Sequence, residues 1–73
     1  MSVVKVVQII GQSSDSFDEA VKNAIAETTR TVRNVKSFQV DELSGEVGPD
    51  GKVAKYRASV KIAFVVDNTA TGG

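Results

Sequence analysis

The side chains able to do chemistry in this sequence are carboxylates, amines, guanidinium groups and hydroxyls, because cysteine and histidine are both absent. Their absence excludes thiol catalysis, disulfides, Ser–His triads and metal sites built on Cys or His. Acid–base catalysis by carboxylates needs two of them at one cleft. Asp41, Glu42 and Glu46 follow one predicted strand, where adjacent residues point to opposite faces. A solvated strand edge explains them, and the residues alone predict a protein that is not an enzyme.

Ligand-binding motifs are equally sparse. No EF-hand loop is present, although an oxygen-ligated cation held between subunits stays open. The glycines of the predicted elements match no phosphate-loop spacing and are typical of turns; they are Gly11, Gly45, Gly48 and Gly51. The aromatic residues form no basic stacking platform and are expected in the core; they are Phe17, Phe38, Tyr56 and Phe64.

The length and charge of the chain limit its partners. It has 73 residues, with nine basic and nine acidic side chains and a net charge of zero. Nucleic-acid binding needs a basic excess, which is missing, and no stretch approaches the about 20 apolar residues of a membrane span. With no signal-peptide pattern at the N-terminus, we expect a cytoplasmic protein with no nucleic-acid or membrane partner. A chain this short makes a marginal monomer, so we also expect oligomerisation.

The first half of the chain predicts a strand and then a helix. The strand covers residues 3–10, is apolar on both faces and ends at Gly11. After a loop over 11–15, Ser16 and Glu19 have the spacing of a capping box. The helix is expected to end near Arg33 or Asn34. Its apolar positions recur every three or four residues; they are Phe17, Ala20, Val21, Ala24, Ile25, Thr28, Val32 and Val35.

The second half predicts two more strands, over 37–47 and 52–67. In the first of them Leu43 is out of phase with the earlier alternation, and Gly45 is expected to mark a bulge or a bend. The segment between the strands, Gly48-Pro49-Asp50-Gly51, has the composition of a tight turn. Residues 1–67 are thus expected to form a single domain, and 68–73 a flexible tail.

The order of elements, β-α-β-β, places the chain in the α+β class. The third strand is the longest and is expected at the centre of the sheet, antiparallel to both neighbours, with the helix as a right-handed crossover. The helix covers one face of the sheet. The other face mixes Lys, Arg and Ser with Val and Ala, and no segment remains to cover it. We expect neighbouring subunits to cover it, at least in part.

This order of elements and several motifs resemble the dodecin family over almost the whole chain, about residues 3–67. No single motif is diagnostic, but their order and spacing together are specific. The segments that carry the resemblance are Val6-Val7-Gln8-Ile9-Ile10-Gly11-Gln12-Ser13, Ser16-Phe17-Asp18-Glu19-Ala20, Asn23-Ala24-Ile25-Ala26, Thr31-Val32-Arg33-Asn34-Val35, Gly51-Lys52-Val53, Lys55-Tyr56-Arg57 and Val60-Lys61-Ile62-Ala63-Phe64.

The resemblance implies a protomer whose sheet wraps partly around its helix, and a hollow homododecameric shell that stores or quenches flavins (FMN or riboflavin) without turnover. It also implies three flavin-binding positions. Ser37 stands where flavin-binding members have a Trp that stacks on the flavin. Arg57 stands where they have a Gln that hydrogen-bonds the polar edge of the flavin, and Ser44 stands where many bacterial members have a basic residue.

These departures leave three hypotheses. The first is a shell that still binds flavin, without a stack worth about 1–3 kcal/mol per ring by analogy with nucleic-acid bases. The second is a member similar to the calcium dodecins, which also lack the Trp and have Arg after the Tyr; it would bind calcium or another small ligand. The third is a shell with no specific ligand, in which Arg57 pairs with Asp41 or Glu42 of a neighbour. We predict a small-ligand-binding shell, with flavin as the ligand of the family.

Overall fold

The computed structural model describes the backbone of residues 2–67 and the side chains of residues 3–66. Its elements are β1 (Ser2–Ser13), α1 (Phe17–Thr31), β2 (Val35–Val47) and β3 (Val53–Asp67). The predicted α+β class and β-α-β-β order are confirmed. The tail predicted over 68–73 lies outside the described residues, and the single domain over 1–67 stays a prediction.

The N-terminus of α1 is capped by the predicted residue, but only half of the capping box forms. The Ser16 hydroxyl accepts the Glu19 N–H at 3.0 Å. The Ser16 N–H donates to the Ser13 hydroxyl at 3.4 Å, so the preceding strand takes the place expected for the Glu19 side chain. The helix therefore starts where the sequence predicts, with its first amides satisfied by two serines.

The C-terminus of α1 comes earlier than the expected end near Arg33 or Asn34. The helix ends at Thr31, and Val32 is already extended, with φ −110°. Asn34 then takes φ 61°, a left-handed conformation that a short polar residue tolerates better than a branched one. The chain reverses at this residue and enters β2.

β1 continues beyond Gly11, where the sequence predicts its end. Gly11 pairs with Ala58 in the same antiparallel ladder as the rest of the strand. A Cβ added to Gly11 would collide with the carbonyl oxygen of Ala20 and lie 2.9 Å from the Cβ of Ala24. The predicted loop is therefore wrong over 11–13, because this glycine serves the close approach of helix and strand and does not break the strand.

The sheet has the order β1-β3-β2, and both outer strands run antiparallel to β3. The predicted central position of β3 is confirmed. The two strands joined by the helix are therefore parallel to each other but separated by β3. This arrangement gives β3 a partner on each side and leaves one edge of β1 and one edge of β2 free within the protomer.

β2 is irregular, although not where the sequence predicts. The change of phase signalled by Leu43 is confirmed, because the register shifts between Val40 and Glu42. The bulge predicted at Gly45 is wrong, since Gly45 pairs in register with Tyr56. The extra residue at the shift lets Leu43 return to the same side of the sheet as Val40.

The turn between β2 and β3 has the predicted chemistry. The Gly51 N–H donates to the Gly48 carbonyl at 3.0 Å, and Gly51 has φ 81°, which favours glycine. The Asp50 side chain accepts the Lys52 N–H at 3.0 Å. The turn therefore fixes the hairpin register locally.

The core lies between α1 and the β1–β3 half of the sheet. Its fully buried side chains are Ala20, Ala24, Ala58, Val60 and Ile62. Small residues on the helix bring its backbone close to the strands, as Gly11 does on β1. At the edge of this core, Tyr56 and Phe17 pack edge to face with ring centroids 4.9 Å apart.

The expectation that Phe38 belongs to the core is wrong. Phe38 lies opposite the buried Ile62 on the helix side of the sheet, yet 54% of it is exposed. The helix has far fewer contacts with β2 than with β1 or β3. A single helix, about 10 Å wide, is too narrow to cover three strands spaced about 4.8 Å apart, and β2 is the strand left uncovered.

Candidate functional site

The sheet surface turned away from the helix is called the open face here. β3 supplies Lys55, Arg57, Ser59, Lys61, Ala63 and Val65; the cross-strand register and the side-chain contacts add Val4, Val6, Gln8, Ile10 and Gln12 from β1 and Ser37, Gln39, Asp41, Glu42, Ser44 and Glu46 from β2. The expectation that Asp41 and Glu42 point to opposite faces is wrong, because the register shift places both on this face. No segment of the described chain covers it. Its polar groups gather into two clusters.

The first cluster surrounds Arg57. The Arg57 Nε donates to the Gln12 Oε1 at 3.0 Å, and a terminal nitrogen of Arg57 forms an ion pair with Glu46. The hydrogen bond from Arg57, and then the charge of Arg57, lower the pKa of Glu46 below its usual value. Arg57 is therefore held between the two outer strands, with its charge matched inside one protomer.

The second cluster surrounds Asp41. Gln8 Nε2 donates to Asp41 Oδ2 at 3.0 Å and lies 2.8 Å from the Ser59 hydroxyl. The Lys61 ammonium is 3.9 Å from Asp41 Oδ1, which is beyond hydrogen-bond distance. Lys61 thus has a carboxylate near it but keeps its hydrogen-bonding capacity, and its side chain is 46% exposed.

A shallow cavity of about 210 Å³ lies next to the second cluster. Its walls include Val6, Ala63 and Ser37, which follow one another across the three strands, and Lys61 and Gln39 from the adjacent row. Two apolar side chains therefore lie beside a hydroxyl, an amide and an ammonium group. This combination suits a small ligand with an apolar body and a polar edge.

The structure places the three predicted ligand residues on the open face but does not bring them all together. Ser44 lies directly opposite Arg57. Ser37 lies opposite Ala63, six residues further along β3, which is about 20 Å at about 3.4 Å per residue. One protomer therefore places Ser37 at one end of the open face and Arg57 and Ser44 towards the other.

Sequence reasoning did not assign six residues of these clusters and of the cavity to the site: Gln8, Gln12, Gln39, Glu46, Ser59 and Lys61. Gln12 was missed because β1 was ended too early. The partners across β2 and β3 were missed because the register shifts between Val40 and Glu42 and between Glu46 and Val47, and counting outward from the 48–51 turn does not reveal these shifts.

A second exposed surface lies on the helix side of β2. It is called the uncovered strip and consists of Phe38, Val40 and Leu43, which are 54%, 39% and 50% exposed. These side chains lie opposite Ile62, Val60 and Ala58, all fully buried. The strip continues the core sideways without cover, as expected of a surface that packs against another molecule.

The described residues contain neither a carboxylate cluster that could hold a metal ion nor a membrane-spanning helix. Over residues 2–67, no three or more carboxylate side chains come close enough to hold a metal ion. The structure describes no helix that is long and apolar enough to cross a membrane.

The fold and the open face define a small α+β protein whose sheet wraps on one helix and leaves a shallow binding face. The family model for dodecin matches residues 3–67. The chain belongs to the dodecin family, as the motifs predicted.

Solved and curated relatives agree with this assignment. The chain is 30% identical over 67 residues to the dodecin of Thermus thermophilus, covering 92% of this chain and 96% of the relative. The dodecin from Streptomyces davaonensis superposes with a TM-score of 0.85 at 30% identity, covering 92% and 97% of the two chains. Calcium dodecin from Mycobacterium tuberculosis, described as calcium-chelating, superposes with a TM-score of 0.75 at 31% identity, covering 85% and 87%.

Proposed function

We propose that this protein is a non-enzymatic binding shell, a homododecamer that sequesters a flavin (FMN or riboflavin) between the open faces of its protomers. The observation that carries the proposal is the open face itself, with a cavity bordered by apolar and polar side chains and no cover from residues 2–67. The dodecin family is one of small-ligand-binding shells, and the resemblance described above names flavin as the ligand.

The size of the cavity supports a site shared between copies. At about 210 Å³ it is smaller than the about 300 Å³ at which ligand pockets begin. A second open face placed against the first would enlarge the cavity and remove its ligand from water. The same step would bring Ser37 of one protomer near Arg57 and Ser44 of another, which one protomer cannot do.

The uncovered strip supports assembly independently of any ligand. Burying a side chain such as Phe38 or Leu43 contributes about 1.5–3 kcal/mol. A chain this short gains little from its own core, which here uses only half of the sheet. Contact between copies is therefore the natural way to remove Phe38, Val40 and Leu43 from water.

The second candidate function is calcium binding. The likeness to calcium dodecin favours it, as do the exposed carboxylates of Asp41, which lies within the register shift of β2, and Glu42, which follows it. The ligand set would have to come from several copies. The Lys61 ammonium in the cavity lining argues against a cation at the Ser37 cavity.

The first experiment is a fluorescence titration of FMN and riboflavin with the assembled protein, together with an absorbance spectrum of the protein purified from cells supplied with riboflavin. Yellow protein and quenched flavin fluorescence are the expected results. A folded shell that leaves flavin fluorescence unchanged contradicts the flavin function. Calorimetric titration of that sample with Ca²⁺ then tests the second candidate, with the Asp41→Asn variant as its control.

A gain-of-function variant locates the flavin. Ser37→Trp restores the stacking residue of the family and is expected to tighten flavin binding by about 1–3 kcal/mol per ring. Ser14→Trp, in the exposed β1–α1 connection, adds the same indole away from the open face and is the matched control. Equal affinities in the two variants contradict a flavin site at Ser37.

A further inference from the structure

The ammonium group of Lys61 borders the cavity at Ser37, and the family resemblance gave this residue no role. Two rows of side chains cross the sheet there. One row is Val6, Ala63 and Ser37; the next is Gln8, Lys61 and Gln39. Of these, Lys61 is on the central strand and borders the cavity together with Ser37 and Gln39. The cavity thus has the apolar side chains of Val6 and Ala63 on one side, and the donors of Lys61 and Gln39 on the other.

The two cationic side chains of the clusters, Arg57 and Lys61, differ in how far their charge and hydrogen-bond donors are already engaged. Arg57 is engaged by Gln12 and by Glu46. Lys61 lies 3.9 Å from Asp41, and the other oxygen of that carboxylate already accepts a hydrogen bond from Gln8. The ammonium group of Lys61 therefore has donors free for a ligand, whereas the charge of Arg57 is already paired with Glu46 within its own protomer.

We propose that Lys61, with Gln39 and Ser37, forms an oxyanion subsite that takes a phosphate or carboxylate group of the bound ligand. The ammonium supplies the charge, the amide and hydroxyl supply further donors, and the apolar body of the ligand lies along Val6 and Ala63. This inference rests on the proposed function and sharpens it: the phosphate ester of a flavin is bound in preference to the uncharged flavin.

The subsite also bears on the second candidate function. A cation would meet the Lys61 ammonium in this cavity, and the nearby Asp41 carboxylate is already shared with Gln8 and Lys61. The cavity therefore selects an anionic group and rejects calcium. A calcium ion bound by the assembly would have to lie elsewhere on the carboxylates.

The test compares FMN with riboflavin, which share the ring system and differ by the phosphate. In the assembled wild-type protein at low salt, FMN is expected to bind about three- to tenfold more tightly than riboflavin. Lys61→Gln is expected to abolish that ratio, because FMN affinity should fall more than riboflavin affinity. Lys55→Gln removes a lysine from the same face, six residues away along β3, and is expected to keep the ratio. Light scattering and circular dichroism check that each variant assembles and folds.

The outcomes separate the two proposals. Equal affinities for FMN and riboflavin in the wild type, or a ratio that survives Lys61→Gln, overturn the oxyanion subsite and leave flavin binding in place. A ratio that Lys55→Gln abolishes as well shows a general effect of charge and also overturns it. Failure of a folded wild-type shell to bind either flavin overturns the proposed function, and the subsite falls with it.

Discussion

The two halves of the sheet are built from similar residues but end in different surroundings. Over the centre of β3, the helix buries Ala58, Val60 and Ile62 completely. Over β2, the opposing Phe38 and Leu43 remain about half exposed. The difference comes from the width of one helix, not from hydrophobicity, because the exposed half has the larger apolar side chains.

This contrast separates what the protomer does alone from what it does with others. The helix-covered half holds tightly packed small residues and a glycine that admits no side chain. The β2 half has apolar side chains that a neighbouring copy can cover, and its register shift keeps Val40 and Leu43 on the same side of the sheet. Changes in the first half are expected to alter folding, and changes in the second to alter assembly.

The largest effect is expected at Gly11, in the covered half. Gly11→Ala places a Cβ against the backbone of Ala20, which cannot rotate away, and should destabilise the protein by about 3 kcal/mol or more. Gly51→Ala, in the turn of the β2–β3 hairpin, meets no atom within 4 Å and costs about 1–2 kcal/mol for its positive φ alone. Urea unfolding of both variants measures the difference. Equal losses would remove the contrast between close packing and an open turn.

The next effect tests the uncovered strip. Leu43→Asp places a charge where a neighbour is expected and forfeits the about 1.5–3 kcal/mol gained by burying the leucine. The particle mass measured by light scattering should fall, and thermal stability should lose the dependence on protein concentration that assembly confers. Ala26→Asp, at an exposed position of α1, adds the same charge and should keep the wild-type mass. A Leu43→Asp protein of wild-type mass contradicts a role of the strip in assembly.

The smallest effect concerns the ion pair of the hairpin. Because Arg57 lowers the pKa of Glu46, the unfolded chain binds a proton at Glu46 more readily than the folded one. The contribution of the pair is therefore present above the unfolded pKa of a glutamate, about 4.3, and is lost as the pH falls through the lower, folded value. Glu46→Gln should lower the urea midpoint slightly at pH 7 and leave it unchanged in strong acid.

The control for this prediction is Glu42→Gln. The described residues show no ion pair at Glu42, so its loss should change the urea midpoint equally little at both pH values. A pH dependence that is the same in the two variants means that the Arg57 pair is screened by solvent and contributes nothing to stability.

Most of the fold could be predicted from sequence because its signals are local. Alternation along residues 52–67, the turn over 48–51 and the cap at Ser16 each act within a few residues, and they place β3 at the centre. The errors come from distant contacts. Gly11 looks like a strand end because its reason, the backbone of Ala20, lies in another element. Phe38 looks like a core residue because its pattern does not show how far the helix reaches.

The candidate site was predicted less completely. Family resemblance selected Ser37, Ser44 and Arg57, and whether they bind a ligand stays a prediction. What one protomer shows is that Arg57 is paired with Glu46, which the sequence did not indicate. It also shows Lys61 beside Ser37, which follows from the cross-strand register. The sequence patterns report contacts within one chain and not contacts between copies, so the completed site could not be predicted.

The alternation of β3 has a consequence for how such a protein can change over generations. Ala58, Val60 and Ile62 face the helix, while Arg57, Ser59 and Lys61 face the other way. A slip of one residue in pairing would drive two cations into the core, so the strand register is strongly protected. Within that register, substitutions at the alternate positions do not disturb the packing beneath the helix. Ligand preference can therefore drift from one lineage to another without loss of the fold.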